Sequence, residues 1–138
     1  MSIAIRRLGI DDGEIVTALA DDPGLQDRIE LLGDERTLFF VAFAESTPVG
    51  FLLAYELLRR HGYRSMLFVY EVGVAPEFRR QGVATALFQR LSDLASERGI
   101  REAFVLTEPD NETANALYAS LGGSLTVVHE WDIEYTAR

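Results

Sequence analysis

Three groups of residues in this chain have the types and spacing to do chemistry. The first is Val72-Gly73-Val74-Ala75-Pro76-Glu77-Phe78-Arg79-Arg80-Gln81-Gly82-Val83-Ala84, an apolar strand that runs through a proline turn into a helix start. The first N–H groups of a helix have no internal partner, and the helix dipole makes that end electropositive. A phosphate or pyrophosphate is therefore held well there. Gly82 lets the backbone approach such a ligand, and Ala84 keeps the next turn slim. Arg79 and Arg80 can add charge-assisted contacts to phosphate oxygens. The plainer alternative is a helix N-terminus with two solvated arginines; the intact order of strand, turn and long amphipathic helix favours the phosphate site. The second group is Glu71, the one acid inside an otherwise apolar strand. Burial would raise its pKa and suit it to accept a proton near neutrality. The alternative is a structural carboxylate paired with an arginine such as Arg64. The third is Asn111-Glu112-Thr113-Ala114-Asn115-Ala116-Leu117-Tyr118, which sets Asn111 and Tyr118 on roughly one side of a helix. Asn111 is placed to cap that helix, to bind a ligand, or both.

The first and third segments resemble the two signatures of the GNAT superfamily of acetyl-CoA-dependent N-acetyltransferases. Its motif A reads Arg/Gln-x-x-Gly-x-Gly/Ala after the fourth strand, and the residues from Arg79 to Ala84 match it. The resemblance runs from Ile3 to about Tyr135. The runs Leu53-Ala54-Tyr55-Glu56-Leu57 and Val128-His129-Glu130-Trp131-Asp132-Ile133 look like type I aminoglycoside 3-N-acetyltransferases. The resemblance implies that Val72 and Val74 offer main-chain groups to the pantetheine arm, with the oxyanion met by a backbone N–H near Gly73 or Val74. It implies that Gln81, Gly82, Val83 and Ala84 bind the pyrophosphate through N–H groups. It makes Tyr118 the general acid for the departing thiolate, whose pKa lies at roughly 8.5 or a little above. Glu71 is then the base or the substrate anchor, with water linking carboxylate and amine.

An aminoglycoside is polycationic, so its pocket should carry carboxylates. Asp21, Asp22, Glu56, Glu108, Asp110 and Asp132 are available, and Glu56, Glu108, Asp110 and Asp132 are the candidates; each alone reads better as a solvated surface acid, and the case for the amine rests on the set. The net charge of −9 argues against nucleic acid as a partner and suits a cationic small-molecule amine. There is no cysteine, which excludes an acyl-cysteine intermediate and favours direct transfer from acetyl-CoA. His61 and His129 have no metal-ligand spacing, so no metal is expected. All thirteen basic residues are arginine, so no lysine can act as a base. No stretch approaches the ~20 apolar residues of a membrane span, and Met1-Ser2-Ile3-Ala4-Ile5-Arg6-Arg7 lacks the order of a secretory signal. A cytoplasmic protein without membrane contact is expected. The superfamily often dimerises, and a long final strand offers an edge for a homodimer. The remaining readings are an acetyltransferase for a polyamine, an amino acid or a protein N-terminus, and a non-catalytic acyl-CoA-binding module.

At 138 residues the chain is expected to form a single domain, 1–138. Ile3-Ala4-Ile5-Arg6 alternates as a strand. A helix capped by Asp11 or Asp12 should bury Ile15, Val16 and Leu19. Asp21-Asp22-Pro23-Gly24 breaks it, and a short helix is expected over 25–32. Strands are expected over 37–45 and 49–58, joined by a turn at Ser46-Thr47-Pro48. Residues 66–74 read as a central strand covered on both faces. A long helix is expected over 81–98, with Val83, Leu87, Leu91 and Leu94 in its apolar stripe and Gly99 as its stop. A short buried strand over 103–107, a helix over 112–121 and a strand over 124–135 close the chain. The order β-α-α-β-β-β-α-β-α-β is an α+β fold with helices on a mixed sheet.

Overall fold

The computed structural model describes residues 2–19 and 29–137. Two compact units divide the chain, Met1–Leu106 and Thr107–Arg138. The first is built on a five-stranded sheet in the order β1-β2-β3-β4-β5, comprising β1 (Ile3–Arg7), β2 (Thr37–Ala44), β3 (Thr47–Leu58), β4 (Ser65–Val74) and β5 (Ala103–Val105). The first four run antiparallel to their neighbours, and β5 runs parallel to β4. The parallel step follows from the crossover through α2 (Val83–Glu97).

Alternation along β2 and β3 sorts the side chains onto two faces. Leu38, Phe40, Leu52, Ala54, Leu67 and Val69 pack with Val83, Leu87 and Leu91 of α2. Phe39, Val41 and Leu53 face the other way and pack with Leu8, Leu32 and Val16 of α1 (Gly13–Ala18). Helix α2 ends at Gly99, whose φ of +69° ordinary residues avoid.

Several expectations need correction. The first half of the helix expected over 25–32 lies outside the described residues, and Ile29–Gly33 is a 3-10 turn. The break at Asp21-Asp22-Pro23-Gly24 also lies outside them. Strand β5 is shorter than expected, and its Ala103 and Phe104 are exposed. It forms the edge of the described sheet, so only β4 supports it. Strand β4 is not covered on both faces, because Tyr70 and Glu71 are exposed.

The second unit holds α3 (Glu112–Ser120), stopped at Gly122 with φ +87°. The strand expected over 124–135 does not form: residues 123–137 have no regular secondary structure. A strand is stabilised only by a ladder partner, and the second unit contains no other described strand to supply one. Leu125, Val127, Trp131 and Tyr135 are all more than four-fifths exposed.

Candidate active site

The turn before α2 is set by local backbone chemistry. Pro76–Phe78 forms one 3-10 turn, and the Gln81 side-chain amide donates to the Glu77 carbonyl at 3.0 Å. Arg80 at φ +62° and Gly82 at φ +80° are left-handed, so the chain coils tightly around Gln81. A left-handed arginine is uncommon and costs strain that the surrounding turn must hold. No side chain caps α2 at Gly82. The first bond within the helix runs from the Ala86 N–H to the Gly82 carbonyl at 3.0 Å. The N–H groups of Val83, Ala84 and Thr85 therefore lie ahead of it. A Cβ placed on Gly82 would meet no atom within 4 Å, so the space above the turn is open. The Val83 side chain points the other way, into the core, where it would clash with any Cβ on Gly50.

Strand β4 ends beside this turn, and its pairing decides which backbone groups are accessible. Pairing with β5 stops at Val69 and Val105, while β4 continues to Val74. The Ala75 N–H donates to the Val49 carbonyl at 2.8 Å. Antiparallel partners alternate between bonded and non-bonded pairs. Ala75, Gly73 and Glu71 thus direct their main-chain groups to β3, and Val72 and Val74 direct theirs to the side that β5 has left. Val72 and Val74 are the two residues that the resemblance offers to a pantetheine arm. Of the two residues near which an oxyanion donor was expected, Gly73 directs its main-chain groups to β3 and Val74 directs its own away from it. The Val74 carbonyl on that side accepts from Arg79 Nε at 3.1 Å. Arg79 therefore pins the strand end with one nitrogen and has the rest of its fork available. Gly73 is glycine for a packing reason: a Cβ there would come within 2.6 Å of the Phe51 ring.

Glu71 is exposed, which corrects the expectation that an apolar strand would bury it. The cause is a bulge. Leu53 pairs with Glu71 while Ala54 pairs with Val69, so Tyr70 is extra in the ladder. Arg64, the arginine offered above as a partner for Glu71, also acts through its charge on Glu56.

Glu56 was expected to meet substrate, but it is buried on the α2 face. It accepts from Ser65 Oγ at 2.7 Å and from Arg98 Nη1 at 2.7 Å. Burial pushes its pKa up, but the hydrogen bonds from Ser65 and Arg98, with the charges of Arg98 and Arg64, outweigh burial and hold it below the ordinary value. Its oxygens are engaged inside the fold, so it is not carried forward as a substrate ligand. Sequence reading missed Arg98 because the pair spans 42 positions.

In the second unit, Asn111 caps α3: its Oδ1 accepts from the Ala114 N–H at 3.1 Å. Capping uses the oxygen and leaves the side-chain NH₂ as a donor. Asn115, which sequence reading passed over, bonds Thr107 Oγ1 at 2.6 Å and the Glu108 carbonyl at 3.0 Å, fixing the loop ahead of the helix. Its only sequence signal is its place one turn after Asn111. Tyr118 is half-buried on α3, and burial pushes its hydroxyl above the ordinary 10.0. Glu108, Asp110 and Asp132 have exposed side chains, and Asp132 lies in the segment without regular structure. His129 is exposed. Among the described residues no three histidines, cysteines or acids gather as a metal site, and no helix is long and apolar enough to cross a membrane.

The sequence matches the acetyltransferase (GNAT) family over residues 10–122. The chain belongs to the GNAT acetyltransferase family. Its fold is the GNAT fold. A crystal structure of an aminoglycoside acetyltransferase from an uncultured soil metagenomic sample superposes with a TM-score of 0.90 at 29% identity, covering 99% of this chain and 100% of the other. The aminoglycoside N-acetyltransferase AAC(6')-Iy in complex with CoA superposes with a TM-score of 0.76 at 25% identity, covering 99% and 95%. Among curated proteins, the aminoglycoside N(6')-acetyltransferase type 1 of Salmonella typhimurium is 29% identical over 108 residues, or 74% of this chain and 72% of its own. GNAT acetyltransferases draw their acetyl group from acetyl-CoA. The three N–H groups ahead of the first α2 bond and the open space over Gly82 are compatible with a pyrophosphate there.

Proposed function

We propose that this GNAT protein transfers acetyl from acetyl-CoA to a primary amine of a polycationic small molecule, an aminoglycoside. The observation that carries this is the pairing of two features in one unit. A helix start with uncommitted N–H groups lies next in sequence to a strand end whose Val72 and Val74 backbones face away from β3. In this reading the N–H groups of Val83 and Ala84, with Gln81, Gly82 and the Arg79 and Arg80 guanidiniums, hold the pyrophosphate. Val72 and Val74 align the pantetheine arm, and a strand N–H meets the oxyanion. The amine nitrogen attacks the thioester carbon, the C–N bond forms and the C–S bond breaks. Glu71, an exposed carboxylate, anchors the ammonium, which loses its proton to solvent through water before the nitrogen attacks. Tyr118 returns a proton to the thiolate; its raised pKa keeps the phenol protonated at neutral pH. Asn111 contributes its free amide hydrogens to the arm. Glu108, Asp110 and Asp132 supply negative charge to the acceptor side. The match of family signature through residues 10–122 supports treating both units as one acetyltransferase domain.

For the position modified, we keep the 3-amino group on the strength of the closing run Val128-His129-Glu130-Trp131-Asp132-Ile133. The competing 6' position is favoured by the Salmonella typhimurium relative. Thiol release from acetyl-CoA, measured against aminoglycosides, polyamines and peptides, tests the substrate class; turnover of peptides alone would reverse it. NMR of acetylated kanamycin, which carries both amines, separates the positions. Tyr118→Phe is expected to lower kcat about a hundred-fold at unchanged acetyl-CoA affinity. Because its pKa lies above 10.0, any fall in rate between pH 7 and 9 must persist in Tyr118→Phe. Glu71→Gln is expected to raise the amine KM with a pH profile parallel to wild type; loss of the acid limb would make Glu71 the direct base instead.

A further inference from the structure

The β4 bulge does more than expose Glu71. In a regular strand consecutive side chains point to opposite faces. Here Tyr70 and Glu71 share one. Val72 and Val74 pack on the α2 side, while the Cβ direction of Gly73 meets Phe51 on the opposite side, so Glu71 by alternation lies on the side of Phe51. Tyr70 is on that side as well, because its ring meets Tyr55 edge-on at 5.8 Å and Phe68 at 5.7 Å. Phe68 in turn stacks on Phe104 at 4.7 Å. The row Tyr55, Tyr70, Phe68 and Phe104 forms a braced aromatic wall that ends at a carboxylate. Tyr70 is 57% exposed, too open for a core residue held by packing alone. Tyr55 is half-buried, and burial first, then the charges of Tyr70 and Glu71, push its hydroxyl above the ordinary 10.0. Glu71 thus stands close enough for its field to reach that ring.

We propose that Tyr70 is a substrate-positioning residue: its ring and the Glu71 carboxylate form a clamp for one ammonium group of the acceptor, braced from behind by Tyr55 and Phe68. An ammonium over a tyrosine face gains cation–π attraction, more so when partly desolvated, and the adjacent carboxylate supplies its counter-charge. The clamp deepens the aminoglycoside reading and rests on it. It makes the preferred acceptor a compact primary ammonium.

The test is steady-state kinetics with acetyl-CoA and kanamycin for wild type, Tyr70→Leu and Tyr70→Phe, alongside NMR of protein carrying ¹³C-labelled tyrosine titrated with kanamycin. Tyr70→Leu should raise the kanamycin KM roughly ten-fold with kcat nearly unchanged. Tyr70→Phe, which keeps the ring face, should stay within about two-fold. The acetyl-CoA KM should not move in either, and the Tyr70 ring resonances should shift on titration. If wild type acetylates kanamycin while Tyr70→Leu leaves its KM within about two-fold, the clamp falls and the substrate reading stands. An equal loss for acetyl-CoA also overturns it, since that marks general damage to β4. If kanamycin is neither bound nor acetylated, the substrate reading falls and the clamp falls with it.

Discussion

The two ends of α2 were built to opposite rules. At Gly82 the helix begins without a side-chain cap, its first N–H groups lie ahead of any internal bond, and the space above is open. At Arg98 the charge is turned toward the fold. The guanidinium bonds Glu56 at 2.7 Å and the Glu35 carbonyl at 3.1 Å, and Arg7 reaches the Glu35 and Thr37 carbonyls at 3.0 and 3.2 Å. Arg7 and Arg98 crowd each other, and burial with that repulsion lowers the Arg7 pKa. A helix end that is to hold a ligand keeps its hydrogen-bonding capacity unspent; one that holds the fold together commits it. Changes at the first end should move binding with little effect on folding, and changes at the second should do the reverse.

The largest expected effect is at the open end. Gly82→Asp places a carboxylate where the pyrophosphate is proposed to lie, in space that no other atom fills. Acetyl-CoA affinity measured by calorimetry should fall about a thousand-fold, roughly 4 kcal/mol. Tight binding would break the comparison. At the closed end, Glu56→Ala leaves Arg98 partly buried without its carboxylate. Denaturant unfolding should show a loss of about 3 kcal/mol, with kinetic constants of the folded fraction close to wild type. A kinetic defect without a stability defect would return Glu56 to the substrate site. The same pair predicts a pH dependence. The folded pKa of Glu56 lies below its ordinary 4.5, so the stabilisation is complete above that pH and is lost as pH falls through the folded value. Glu56→Gln should flatten the acid limb of the stability curve. The smallest effect is Arg79→Ala, which frees the Val74 carbonyl; acetyl-CoA affinity should drop about five-fold, near 1 kcal/mol for one exposed charged hydrogen bond.

Much of the open end could be read along the chain. Glycine at the turn, proline ahead of it and the Val83, Leu87, Leu91 stripe are short-range signals, and α2 begins within two residues of its expected start. Asn111 capping α3 is another case. Glu71 was singled out correctly as unusual but for the wrong surroundings, because an acid in an apolar run looks buried until the pairing of its strand is known. Glu56 failed in the opposite direction: it looked like one more available acid, and its partners lie far off in sequence. The final strand failed because a strand needs a ladder partner, and no run of residues shows by itself whether one is supplied.

The amino-acid sequence alone determined where the backbone turns and where α2 starts, because those depend on φ preferences and orphaned N–H groups within a few residues. It also determined the family, through motifs built on that same local geometry. Only the tertiary structure decided what pairing decides. The one-residue slip opposite Leu53 and Ala54 brings Tyr70 and Glu71 to one face and turns Val72 and Val74 away from β3. The fold also brings Arg98 to Glu56. Ladder register and long-range ion pairs are set by what neighbouring strands and helices leave room for, and no stretch of chain carries that information by itself.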